Sequence, residues 1–476
     1  MNYSQFLNMI PEATLVAVLL IVFFADLFSS KDSERRWLNP LACALLALQI
    51  VPCALAEPAS AFAGMYVATA AANVMKVILT AGTLIVLIMS RSWLNDSRAA
   101  HNEGEYYALI CSTLLGMYMM ISSGHFLLFF LGLEMASVPM ACLVAMDKWK
   151  KISAEAGAKY VLMAVFSSGV MLFGLSYIYG STGTLYFEDV ANALPLSPMT
   201  IVGLVFFFAG LGFKLSLVPF HFWTADTYQG APTPVTGYLS VISKGAAAFA
   251  LCTIFVHVFG SMVHQWEGLL YITIVLSITV GNLFAMRQSE LKRFMAFSSI
   301  SQAGYIMLAV VGNSAAGLTA LMYYTLIYVV ANMAVFTVIS AVEENNQGKT
   351  EIDDYNGFYQ TNPRLSFLMT LALFSLAGIP PFAGMFSKFF VFMAAAEHGS
   401  VWAYAVVFIA LLNTVVSLYY YLLIVKAMYI KKSDNPLPYF RSNCNTRLAL
   451  ALCTVGIALF GIGSCIYEWL SQSASL

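Results

Sequence analysis

Of 476 residues, 60% are hydrophobic and only 10% charged, which excludes an ordinary soluble globular domain. The formal net charge of −1 leaves no basic excess for nucleic acid and no acidic block, so bulk electrostatics select no partner. Cys43, Cys53, Cys111, Cys142, Cys252, Cys453 and Cys465 lie in apolar runs and Cys444 in a polar loop. With no CxxC and no ligand-like spacing to a histidine, they give no disulfide framework, zinc site or iron–sulfur cluster.

A span of roughly 20 apolar residues crosses about 30 Å of hydrocarbon. Fourteen stretches qualify, at 11–28, 41–56, 65–90, 106–122, 125–146, 154–179, 199–219, 232–260, 268–286, 293–311, 316–341, 364–396, 401–430 and 446–469. The first has no basic residue before it, carries Glu12 and Asp26, and is followed by Lys31, Arg35 and Arg36, which is the pattern of a retained span rather than a cleaved signal peptide. The expected fold is therefore an all-α polytopic membrane protein of about 14 transmembrane helices.

Loop charge supports that count, because cytoplasmic loops concentrate lysine and arginine. Lys31, Arg35 and Arg36, then Arg91 and Arg98, Lys148, Lys150 and Lys151, Arg287, Lys292 and Arg293, Lys349 and Arg364, and finally Lys431, Lys432, Arg441 and Arg447 all fall in odd-numbered loops. The even-numbered loops hold only histidines and acids such as Glu57, Glu188, Asp189, Glu267 and Glu397. Both termini are then expected on the non-cytoplasmic side, and no loop is large enough for a separate soluble domain.

Lys76, Lys159, Lys214, Lys244, Lys388 and Lys426 remain inside the spans, and no arginine does. Lys426 lies near a cytoplasmic helix end and Lys159 a turn or two from one, where a long side chain can snorkel to water. Lys214, Lys244 and Lys388 lie deeper. Each costs about 2.5–3.5 kcal/mol at a helix centre, of order 8–10 kcal/mol together. The only acid expected at that depth is Glu134, in "FLGLEMASVP", and one glutamate cannot neutralise three lysines. The others must meet water or give up their proton, as burial permits for lysine and not for arginine. That is the behaviour of a proton carrier.

Helix-breaking prolines accompany two of these lysines. In "GLGFKLSLVPFHFW" Pro219 lies between Lys214 and His221, which would share a face if the helix continued. In "LFSLAGIPPFAGMFSKFF" Pro380 and Pro381 precede Lys388. Two proline-broken spans five apart imply two five-helix repeats, helices 4–8 and 9–13 with helices 7 and 12 broken, inverted because five is odd. The corresponding divisions are an N-terminal three-helix region at 1–104, a first half at 105–262, an inverted second half at 263–432 and a C-terminal helix at 433–476. Lys244 is expected beside the break of the seventh span. His257 falls on another face, His125 begins the fifth span, the 224–235 segment is expected to be an ordered connection, and Lys76 has no evident partner.

"GLGFKLSLVPFHFWTADTYQGAPTPV", "FLGLEMASVP", "AGAKYVLMAVFSS", "LKRFMAFSSISQAGY" and "LAGIPPFAGMFSKFFVF" closely resemble the antiporter-like membrane subunits of respiratory complex I, over most of residues 105–430. Within that family the "LGLE" and "EAGAKY" contexts, the lysine in the twelfth helix and a chain ending after helix fourteen resemble one class of subunit. The largest class carries a long extra lateral helix, and the middle one usually has glutamate where Lys388 stands. The resemblance implies a proton-translocating module driven by quinone reduction elsewhere in the complex. In it Glu134 and Lys214 form an ion pair, Lys244 is the central relay, Lys388 the exit-side lysine, and Lys159 and His221 are further relay positions. At an effective dielectric of about 20, charges about 8 Å apart interact by roughly 2 kcal/mol, or about 1.5 pKa units, which is adequate for coupling such groups. Gln302 departs from the family, standing where relatives commonly carry histidine, and it does not titrate.

Fourteen spans fit a bacterial inner membrane, which is the expected location. The partners expected from the resemblance are an antiporter-like neighbour, small helical subunits and membrane lipid, but no nucleic acid. NADH, FMN, iron–sulfur clusters and quinone are expected in partner subunits, and no cofactor on this chain, which has no nucleotide or flavin motif. A subunit of a cation/proton antiporter and a non-transporting assembly subunit are the competing readings. A haem-binding redox subunit lacks an axial histidine pair.

Overall fold

Without water to satisfy its amides, an apolar run in a bilayer must close its hydrogen bonds within a helix. The computed structural model describes residues 3–29, 37–95, 102–346, 348–433 and 436–474, and there helix dominates. After a 3-10 turn at Tyr3–Met9, the helices run α1 (Ile10–Leu27), α2 (Leu38–Leu55), α3 (Ala70–Leu94), α4 (Glu103–Ile121), α5 (Phe126–Val144), α6 (Lys151–Thr182) and the short α7 (Phe187–Ala193). Next come α8 (Pro198–Leu215), α9 (Phe222–Gly230), α10 (Thr233–Tyr238), α11 (Lys244–His257), α12 (Val263–Ala285), α13 (Leu291–Val311) and α14 (Ala315–Asn345). The chain ends with α15 (Phe358–Thr361), α16 (Pro363–Ala377), α17 (Ala383–Glu397), α18 (Val401–Tyr429), α19 (Cys444–Ile462) and α20 (Ser464–Ser473).

Among the described residues twelve helices are long and apolar enough to cross a membrane, not fourteen. The other two expected spans are present but altered. The fourth is α4, whose Glu103, Glu105 and three tyrosines lower its hydropathy. The twelfth is divided between α16 and α17, each 15 residues long. The all-α expectation needs one addition, a two-stranded antiparallel hairpin, β1 (Ala59–Ala61) and β2 (Tyr66–Ala68), between α2 and α3. Of the loop cations, Lys31, Arg35, Arg36 and Arg98 lie outside the described residues. Lys292 and Arg293 belong to the first turn of α13 rather than to a loop.

Side-chain caps start several helices. Thr69, Ser314 and Ser400 accept from the backbone three residues on, at 3.1, 3.2 and 3.0 Å, and Ser197 and Thr200 form a capping box at α8. α4 packs on α5 and α6 on α8 and α9; five spans later α12 packs on α13 and α14 on α16 and α17. α3, α10–α11, α13 and α14 form the interior, whereas α1, α2, α18 and α19 present most of their surface outward.

Both broken spans stop in the same way. At the end of α8, Ser216 adopts φ 61°, its N–H bonds Phe213 O at 2.9 Å and that of Leu217 bonds Gly212 O at 2.9 Å. At the end of α16, Gly378 adopts φ 88°, its N–H bonds Ser375 O at 3.0 Å and that of Ile379 bonds Phe374 O at 3.1 Å. These are Schellman closures, and Pro219 and Pro381 each follow three residues after the left-handed residue.

Gly384 fixes how α17 resumes, because a Cβ there would lie 1.7 Å from Ser375 O. Gly384→Ala is therefore expected to destabilise the fold by about 1–3 kcal/mol through overpacking. An unchanged unfolding temperature of the detergent-purified protein would count against this account of the second break.

Candidate functional site

The first break has its freed backbone groups satisfied by neighbours. The N–H of Val218 donates to Ser277 Oγ on α12 at 2.9 Å, and Trp223 Nε1 donates to Phe213 O at 3.1 Å. Lys214, buried in the last turn of α8, donates to Ser137 Oγ at 2.8 Å and to Ala136 O at 3.5 Å, both on α5. Glu134 lies less than a turn earlier on α5, half-buried, and its Oε1 has no hydrogen-bond partner. Among the described residues no salt bridge closes on Glu134, so the expected Glu134–Lys214 pair is open here, with Ser137 occupying the ammonium. His221 does not share a face with Lys214, because the helix stops between them. It precedes α9, stacks on Phe222 with centroids 4.6 Å apart, and its Nδ1 is buried without a partner.

Lys244 opens α11 directly after a π-helical turn at Leu239–Ser243. Such wide turns recur at functional sites. Here Ser240 O accepts from Ser299 Oγ at 3.4 Å. The fully buried Lys244 ammonium donates to Ser299 Oγ at 2.7 Å and lies over the Tyr228 ring, 5.5 Å from its centroid. Tyr228 Oη is 3.3 Å from the same serine, and Asn332 donates to Ser240 Oγ at 2.5 Å.

Lys388 turns back across the second break. It donates to Ala377 O, at the C-terminal end of α16, at 2.9 Å and sits 5.0 Å from the Tyr305 ring centroid. A Cβ on Gly378 would lie 3.1 Å from Lys388 Cδ, so glycine supplies both the left-handed turn and room for the lysine. Gln302 donates to Leu376 O at 3.3 Å and to Tyr421 Oη at 3.2 Å and accepts from Tyr324 Oη. Between them is a cavity of about 10 Å³, the size one water needs, lined by Gln302, Tyr324, Tyr328, Ser375 and Lys388. The hydroxyls of Tyr328 and Ser375 have no hydrogen-bond partner.

Lys159 stands apart from these three. It is exposed and bonds Glu155 and Asp226, each at 2.7 Å, while Asp226 also holds Arg293 at 2.7 Å. Asp226 thus ties α6, α9 and α13 together, and the segment expected to be a connection is helical as far as Gly230.

Lys214, Lys244 and Lys388 are thus buried and held by hydroxyls or carbonyls, two of them at the broken spans. A family model described as "NADH:quinone oxidoreductase/Mrp antiporter, TM" matches residues 123–414. The chain belongs to the NADH:quinone oxidoreductase/Mrp antiporter membrane family. It is 57% identical over 476 residues to an NADH-quinone oxidoreductase subunit N of Phocaeicola vulgatus, covering 100% of both chains. Among solved structures it resembles a chain of respiratory complex I from Thermus thermophilus, with 29% identity, TM-score 0.81 and coverage of 97% and 99%. A chain of the Mrp complex from a Dietzia species has TM-score 0.82 at 21% identity, covering 100% and 97%, a likeness of fold.

For this antiporter-family member two expectations need correction. Glu134 is not the most buried acid, and Lys76 is not without a partner. Glu12, 2% exposed, meets Lys76 at 2.7 Å. Lys76 also donates to Tyr66 Oη at 3.1 Å and Asn73 Oδ1 at 3.3 Å, and Tyr66 donates to Glu12 at 2.8 Å. The pair joins residues 64 apart in sequence, and a partner at that distance leaves no local spacing to read. Sequence reasoning also passed over Ser137, Tyr228, Ser299, Tyr305, Tyr324 and Tyr328. The one available signal was "SSISQAGY", a polar run within a helix that is buried at every position but Arg293.

Removing one member of a buried ion pair strands the other charge, at about 3–5 kcal/mol, whereas replacing both is far milder. Lys76→Ala is expected to lower the thermal stability of the purified protein sharply, and Glu12→Gln with Lys76→Met to restore most of it. A Lys76→Ala protein as stable as the parent would show that this contact does not hold α1 to α3.

Proposed function

We infer that the chain is the subunit-N component of a proton-translocating NADH-quinone oxidoreductase, and that it moves protons without carrying a redox centre. Quinone reduction in partner subunits, where NADH, FMN and the iron–sulfur clusters bind, supplies the drive. The single observation that carries the reading is the set Lys214, Lys244 and Lys388. All three are buried, and their ammonium groups bond neutral oxygens rather than carboxylates. A lysine matched by a carboxylate is a fixed charge; one held by a serine or a carbonyl can give up its proton without stranding an anion.

In this mechanism Glu134 and Lys214 alternate between a closed pair and the open form, in which Ser137 takes the ammonium. Opening exposes the positive charge of Lys214 to Lys244, lowers its affinity for a proton and sends that proton along α13 toward Lys388. Ser299, Gln302, Tyr324 and Tyr328 supply hydrogen-bonding groups between the two lysines, and Gln302 acts there by hydrogen bonding alone. His221, beside the first break, and Lys159, paired with Asp226, serve the cytoplasmic approach. The functional divisions are 1–104, 105–262, 263–432 and 433–476, the two middle ones being inverted copies. The membrane is the bacterial inner membrane, with both termini on its non-cytoplasmic side, and the chain contacts an antiporter-like neighbour and small helical subunits.

The test is Lys214→Ala in the native host, following NADH oxidation and proton uptake in membrane vesicles, with a native gel to verify assembly. Both activities are expected to fall together by a factor of about 100 or more, the usual contribution of a positioned proton-transfer group. Unchanged rates in an assembled complex would make the lysine structural. Sodium-dependent transport that persists without NADH would favour a cation/proton antiporter instead.

A further inference from the structure

Three arginines from two of the odd-numbered loops meet at one place on the outer surface. Arg364 begins α16, Arg441 lies on the segment leading into α19, and Arg447 is in the first turn of α19; together they line the mouth of a cavity of about 730 Å³. Among the described residues none of the three forms a salt bridge. The mouth is built rather than incidental. The buried Asn362 side chain donates to Pro438 O at 3.1 Å and accepts from the N–H of Phe440 at 3.3 Å, pinning the 438–440 segment over the end of α16. Arg447 donates through Nε and Nη2 to Ser442 O at 2.9 and 2.8 Å, which fixes the guanidinium and leaves Nη1 free.

The N-terminus of α16 also lies at this mouth, where Asn362, Pro363 and Arg364 line it. Asn362 precedes α16 without capping it, so the positive end of that helix adds to the potential of the three guanidiniums. Below the mouth the walls turn apolar. Leu365 and Leu368 of α16 face Leu450, Thr454 and Val455 of α19, a depth of roughly 10 Å counted from Arg447 to Thr454 at about 1.5 Å per residue. Exposed Tyr439 stands at the rim, where an amphipathic ring favours the membrane–water boundary.

We propose that this cavity is a binding site for a diacyl phospholipid with an anionic headgroup, its phosphate held by Arg364, Arg441 and Arg447 and one acyl chain lying between α16 and α19. A guanidinium matches a phosphate in two-pronged geometry, and a basic mouth above an apolar groove fits an anionic amphiphile better than a free ion or a zwitterion. The site is independent of the lysine relay.

The experiment uses the intact complex in nanodiscs containing phosphatidylglycerol with a photoreactive diazirine in its acyl chain, or matched phosphatidylcholine, and maps the labelled peptides by mass spectrometry. Labelling of the 448–456 peptide is expected to favour the anionic lipid by on the order of a hundredfold, and each single Arg→Gln replacement to lower it about fivefold. Added inorganic phosphate at tens of millimolar should leave the label in place; its displacement would make the occupant a free anion. Equal labelling by both lipids would overturn the proposal without any variant, as would replacement of the lipid label by a crosslink to an acidic segment of a partner subunit.

Discussion

Everything in this chain follows from one constraint, that an amide buried in a membrane must find a partner within the protein. An unbroken helix meets it internally; a broken one cannot. The two breaks persist because other groups take over the bonds the helix gives up. Ser277 receives the Val218 N–H, Trp223 reaches back to Phe213 O, Gln302 donates to Leu376 O and Lys388 to Ala377 O. The residues that satisfy the backbone at the second break are therefore among those that surround its buried charge, and the geometry of the site cannot be separated from the geometry of the break.

The lysines divide into two kinds by their surroundings. Lys76 faces a carboxylate and two further acceptors, so its charge is matched and fixed. Lys214, Lys244 and Lys388 face a hydroxyl or a carbonyl, and two of them rest on tyrosine rings, 5.5 and 5.0 Å from the centroids. A ring face attracts an ammonium but does not require one. The surroundings thus tolerate both protonation states, which a carboxylate partner would not.

The helix count, the two breaks and the deep lysines were legible in the sequence because each leaves a local mark: an apolar run, a proline, a cation where none is expected. What was hidden depended on tertiary proximity. Glu12 carries no sign that it reaches Lys76, and Ser137 looks like any helix serine until Lys214 lands on it. The π turn before Lys244 is also silent, since Leu239, Ser240, Val241, Ile242 and Ser243 suit an ordinary helix equally well. Lys214 and His221 would share a face only on a continuous helix, and Pro219 marks where the helix stops.

α13 touches both Lys244 and Lys388. Ser299 holds Lys244, Gln302 lines the cavity beside Lys388, and the Tyr305 ring lies under Lys388. These positions are three residues apart on a single uninterrupted helix, stepping about 60° around it each time, so a rigid shift of that rod would carry all three. A small rotation of that rod about its axis would swing a hydroxyl away from one ammonium and a ring away from the other in the same stroke, a mechanical synchronisation of two sites that charge alone does not require.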